Sequence, residues 1–161
     1  MIIWFKTNPD KALEAVMWFL NKRPQIDRYI LYSLLFLADK QHVNWAARPI
    51  TSDNYVVKDS NLYPDLISKL IDQGIEIREP NLDLLSQSDI DVCSEVLDSY
   101  GAWSLERLRE ITMSTVAYQR AMKKKRSKPR QRVCYGNMLE GDMATKEARE
   151  ELSYCARHAL I

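Results

Sequence analysis

Residues 29 to 38, Tyr-Ile-Leu-Tyr-Ser-Leu-Leu-Phe-Leu-Ala, are apolar on nearly every side of a helical wheel, with Ser33 the exception. A helix without a polar face has to be covered all round, so this segment predicts the buried central helix of a domain. Pro24 and Asp27 open it, and Arg48-Pro49 stop it after about Trp45. The run is far shorter than the ~20 residues of a membrane span, and no basic, apolar and small-residue leader precedes it. The expectation is a cytoplasmic protein with no membrane contact.

Shorter signals arrange the rest around that helix. Asn8-Pro9 reads as an N-cap and first-turn proline for a helix to about Asn21, with Ala12, Leu13, Val16, Phe19 and Leu20 on its apolar face. Asn54 to Val57 and Ile75 to Arg78 are β-favouring, and between them Leu62, Leu66, Ile67, Leu70 and Ile71 recur at helical spacing up to Gly74, placed as a left-handed terminator. These predict one helix flanked by two strands that pair as a ribbon. Ser86-Gln87-Ser88-Asp89 supplies a capping box for a helix burying Ile90, Cys93, Val96 and Leu97 as far as Tyr100-Gly101. Ser104 caps a shorter helix, Ser114 opens another, and Thr145 begins a last one whose apolar side, Ala148, Leu152, Cys155 and Ala159, is thin. The predicted fold is mostly α: a single helical domain around a buried central helix with a small two-stranded β ribbon. Residues 1–122 form the domain, 123–132 a basic loop, and 133–161 a C-terminal extension whose helix packs on or near the domain.

The net charge of +1 on 161 residues hides an asymmetry. Residues 123–132 hold seven of the 23 basic residues and no acidic one, which leaves 16 basic residues against the 22 acidic ones and a body at −6. Lys123, Lys124, Lys125, Arg126, Lys128 and Arg130 lie in that run. Three readings stand: a solvated connection, a contact for phosphates, or a surface that pairs with an acidic protein and speeds association. Cys93, Cys134 and Cys155 are odd in number and widely spaced, as free thiols in a reducing compartment would be.

Asp39 and His42 lie one helical turn apart and share a face, the spacing of two metal ligands or an acid–base pair. His158 is the only other histidine, and no H-E-x-x-H, glycine-rich phosphate loop or G-x-S-x-G completes a reactive set. The expectation is a protein that is not an enzyme and holds no cofactor or metal. Asp39 and His42 should order the Arg48 to Asp53 turn through buried hydrogen bonds, with Asp39 to Arg48 as the leading pair. Trp18 and Trp103 fit packing, whereas Trp45 stands next to the turn either as packing or as an exposed anchor.

The stretch Leu35-Phe36-Leu37-Ala38-Asp39-Lys40-Gln41-His42, followed by Arg48-Pro49-Ile50-Thr51-Ser52-Asp53-Asn54-Tyr55-Val56, resembles the Panacea domain of SocA-like antitoxins. In that family a helix of form L-Y-F-A-D-K-x-H leads into a G-R-P-I-T-G-D-x-Y-V turn and strand. Asp39, His42, Pro49, Thr51 and Tyr55 are the signature positions. Leu85-Ser86-Gln87-Ser88-Asp89, Tyr100-Gly101 and Ser104 resemble its L-S-x-x-D … Y-G-x-x-S segment, and Tyr118 with Ala121 its aromatic-x-x-Ala helix. The likeness covers roughly residues 10 to 122. Two departures stand out: Ser60-Asn61 replaces a Gly-Pro pair after the strand, and Met113 replaces a histidine.

What the resemblance implies is an antitoxin that binds and neutralises a cognate protein toxin encoded by a neighbouring gene, by blocking it or by delivering it to a protease. Recognition would fall on Trp45, Arg48, Asp53, Lys58, Asp59 and Tyr63, on the basic loop, and on the last helix. The rival reading is a nucleic-acid-binding regulator of a phage or mobile element that uses the basic loop.

Overall fold

The computed structural model describes residues 2–124, 129–141 and 143–158. Asn8 accepts the Lys11 amide and Pro9 fills the first turn, starting α1 (Pro9–Lys22). Asp27 accepts the Tyr29 and Ile30 amides and so caps α2 (Arg28–Ala46). The chain then forms a hairpin of β1 (Tyr55–Lys58) and β2 (Asn61–Pro64), leading straight into α3 (Asp65–Asp72). Gly74 follows at φ 85°, the left-handed position its sequence context predicts. The capping box of Ser86 and Asp89 starts α4 (Gln87–Tyr100), and Ser104 caps α5 (Leu105–Met113). Next come α6 (Val116–Lys124), β3 (Arg130–Arg132) and α7 (Lys146–His158).

The protein is mostly helical, and α2 is its central element, packed by α4, α5, α7 and β2. Leu31, Leu34, Leu35, Phe36 and Ala38 are buried there, each large side chain contributing about 1.5–3 kcal/mol on leaving water. The C-terminal extension is fastened to the same helix. Buried Asn44 donates to the Met138 carbonyl and accepts the Glu140 amide, Lys40 pairs with Glu140 at 3.0 Å, and Ala148 and Leu152 of α7 are buried.

The sheet differs from the predicted ribbon. It has three antiparallel strands in the order β2-β1-β3, with Val56 opposite Tyr63 on one side and Arg132 on the other. The alternating Ile75 to Arg78 segment is not a strand: Ile77 is exposed, and Arg78 is drawn away to both carboxylate oxygens of buried Glu14, at 2.5 and 2.9 Å. The basic run is likewise not a loop throughout, since Lys123 and Lys124 end α6 and Arg130 to Arg132 pair with β1. Thr115, rather than Ser114, accepts the Tyr118 amide at the start of α6. Lys125, Arg126, Lys128 and Ala159 lie outside the described residues.

Candidate functional site

The end of α2 delivers Asp39 and His42 beneath the turn that follows it. Asp39, fully buried, accepts four hydrogen bonds: from the Ile50 and Thr51 amides (2.7 and 2.9 Å), the Thr51 hydroxyl (2.5 Å) and the Tyr55 hydroxyl (2.6 Å). Burial pushes its carboxyl up to about 6 despite those donors. His42, also fully buried, places Nδ1 2.6 Å from the Arg48 carbonyl. A carbonyl only accepts, so Nδ1 carries the hydrogen and Nε2 accepts from Ser88 Oγ at 2.9 Å. Burial lowers the pKa of His42, favouring this neutral form.

Two further carboxylates complete the frame. Asp53 accepts the amides of Leu66 (2.9 Å) and Ile67 (2.8 Å), capping α3 from across the hairpin, and burial raises its pKa. Asp89 is opposed by burial, but Lys11 at 3.0 Å, the Ser86 amide and Arg48 at 3.1 Å outweigh it and hold its carboxyl below the usual range. Every buried side-chain nitrogen and oxygen among the described residues has a partner. The turn rests on two left-handed residues without glycine's freedom, Ala47 at φ 62° and Ser52 at φ 54°.

The predicted ordering of the turn by Asp39 and His42 is therefore what the structure contains, but the Asp39–Arg48 pair is not. Arg48 turns instead to Asp89 and Ser86 of the α4 capping box. Asp53, predicted as a partner contact, has no exposed surface and serves as a cap. Pro49, Thr51 and Tyr55 are buried in the same frame. No group of three or more His, Cys, Asp or Glu side chains suited to a metal ion occurs among the described residues, and Cys93, Cys134 and Cys155 are not joined in disulfides.

A cleft of about 450 Å³ opens on the other end of α2. Its walls are Arg28, Tyr29, Tyr32 and Ser33 of α2, the hairpin from Lys58 to Tyr63, Ser68 and Asp72 of α3, and Leu105, Arg109 and Met113 on one stripe of α5. The hairpin apex is a two-residue turn with Asp59 at φ 51° and Ser60 at φ 65°, both left-handed. The Tyr118 hydroxyl holds it by donating to the Ser60 carbonyl at 2.8 Å. Arg28 is committed to Asp72 at 2.6 Å. Among the described residues, the side chains of Lys58, Asp59 and Arg109 have no hydrogen-bond or ion-pair partner, and Tyr29 and Met113 are exposed.

The cleft brings Lys58, Asp59 and Tyr63 together. It does not include Trp45, which is 52% exposed near the opposite end of α2, roughly 24 Å from Tyr29 at the helical rise per residue. Nor does it include the described basic run, whose Arg130 pairs with Asp65 while Arg132 bonds Asn54 and lies 4.1 Å over the Trp4 ring. Of the α5 wall, sequence singled out Met113 alone, and Leu105 and Arg109 were missed; they precede it at four-residue steps, a stripe that also reads as ordinary packing. In comparisons with protein-family models, curated proteins and solved structures, nothing matches the chain.

Proposed function

We propose that this protein is an antitoxin-like binding protein that neutralises a cognate protein toxin by direct contact, with the cleft between the hairpin and α5 as part of its recognition surface. The observation that carries the reading is where the two departures outside the signature stretch fall; those within it, Ala47 and Ser52 for glycine, stay in the turn. Ser60, Asn61 and Met113 all line this one cleft, beside the unpartnered Lys58 and Asp59. The signature residues Asp39, His42, Thr51 and Tyr55 instead lie buried in the frame that holds the turn. A domain that keeps one frame and changes partners would divide its residues in this way. The backbone supports the resemblance too: the two positions that are glycine in the pattern, Ala47 and Ser52, both have positive φ.

A stable protein interface buries about 1,600 Å² in total, so the cleft would be its centre, with surrounding surface as the rim. Neutralisation then works by occlusion, without chemistry on the toxin. The test is co-expression with the product of the adjacent gene. A one-to-one complex that survives high salt and relieves growth arrest caused by that product is the expected result. Co-purification of nucleic acid alone, lost as salt rises, would favour the regulator reading and sink this one. Toxin levels in the same cells separate blocking, which leaves them unchanged, from delivery to a protease, which lowers them.

A further inference from the structure

The charges that line the cleft are unlike those of the body around it. Outside residues 123–132 the chain is net negative, yet of the cleft's ionic side chains Arg28 and Asp72 satisfy each other, leaving two uncommitted cations, Lys58 and Arg109, against one uncommitted carboxylate, Asp59. Both cations are exposed, so they face water and not a buried counter-charge. Leu62, Leu105 and Met113 provide an apolar strip in the same walls, and the phenols of Tyr29, Tyr32 and Tyr63 line it as well. Such a mixture suits a ligand that carries negative charge and apolar side chains together, rather than a bare anion.

The shape points to a polypeptide. β2 is an edge strand, with no strand on its outer side among the described residues, and Asn61, Leu62 and Tyr63 of that strand line the cleft. Leu62 faces its amide and carbonyl outward from β2, and Pro64, which has no N–H, adds a carbonyl alone, so an extended segment can pair at Leu62 while the neighbouring pockets select side chains. We propose that the cleft takes an acidic, extended segment of its protein partner, laid along the outer edge of β2. Its carboxylates meet Lys58 and Arg109, and an alternate apolar side chain packs on Leu62, Leu105 and Met113. This rests on the reading of the cleft as the recognition surface and adds the chemistry of what enters it.

The first probe is a fluorescein-labelled heptapeptide alternating glutamate with leucine and tyrosine, titrated against the full chain beside its glutamine counterpart. The acidic peptide should bind at least tenfold more tightly. Lys58→Glu and Arg109→Glu should each weaken it fivefold or more, with Lys58→Gln and Arg109→Gln in between. Equal binding of the two peptides, or acidic-peptide binding unchanged in a folded Lys58→Glu/Arg109→Glu protein, would overturn the proposal. Failure to bind either peptide would do the same. The double variant also separates this inference from the broader one. If it still captures and neutralises the neighbouring gene's product, the antitoxin reading stands and the acidic segment falls. If the peptide shows the stated charge dependence but no such complex forms, the reverse holds.

Discussion

Two regions at opposite ends of α2 behave in opposite ways. Beneath the turn, Asp39, His42, Asp53 and Asp89 have no solvent exposure, and each is held by hydrogen bonds or ion pairs from several elements. A few residues beyond Asp53, the side chains of Lys58 and Asp59 stand at the cleft with no hydrogen-bond or ion-pair partner among the described residues. The first group contains the residue types that look most reactive in sequence, yet their surroundings commit them to holding backbone in place. Ionisable side chains left unsatisfied are the ones available to another molecule.

The largest expected effect comes from emptying the centre of the first region. Asp39→Ala should lower the unfolding free energy by about 3–5 kcal/mol in a urea titration, since it strands buried donors on Ile50, Thr51 and Tyr55. Asp39→Asn should cost no more than about 1 kcal/mol. Its oxygen still accepts both amides, and the Thr51 and Tyr55 hydroxyls can turn to accept from its nitrogen. If both variants cost the same, the hydrogen-bond account of the hub is wrong.

The next effect is one of pH. The folded-state pKa of Asp39 is about 6 against an ordinary 3.8, so the folded protein holds that proton more tightly than the unfolded chain does. The associated stability is fully present below pH 3.8 and is lost as pH rises through about 6, on the order of 3 kcal/mol over the window. Asp53 acts in the same direction; Asp89 and His42 act oppositely, their contributions falling away as pH drops. The wild-type curve minus the Asp39→Asn curve isolates the single group, and a flat difference between pH 4 and 7 would remove it from the account.

In the second region the order of effects should invert. Lys58→Glu and Arg109→Glu should change stability by less than about 0.5 kcal/mol while weakening partner capture, so a large loss of stability would mean that these side chains belong to the frame after all. The smallest effect is expected at the hairpin apex. Ser60→Gly should raise stability by about 0.5–1 kcal/mol in the same denaturation assay, by relieving a left-handed serine at φ 65° while its carbonyl keeps the bond from Tyr118.

How much of this could be read from the chain follows the range of the interactions. Helix starts were legible because Asn8-Pro9, Asp27 and the Ser86–Asp89 box act on their own first turns. The sheet was not. Arg-Gln-Arg in β3 and Asn-Leu-Tyr-Pro in β2 have little strand character, and they are extended because β1 pairs with them. Ile75 to Arg78 has the better pattern, and lacks only a neighbouring strand. In the hub, the need of Asp39 and His42 for buried partners was legible. The actual partner of Arg48 was not, since Asp89 lies 41 residues away in a different helix. The cleft was half visible in Lys58, Asp59 and Tyr63; its α5 wall exists only once two distant helices are packed together.

The sheet also sets an order on synthesis. The pairing partner that covers the second side of β1 is residues 130–132, so a growing chain emerges from the ribosome with α1 to α6 complete while Val56 and Val57 still offer an open strand edge. At ~5–20 residues per second that edge stays uncovered only briefly, but it is the point at which two nascent copies could pair wrongly. Arg130 to Arg132 close it, so the basic run's final residues act as a latch over an edge that would otherwise stay open to another strand.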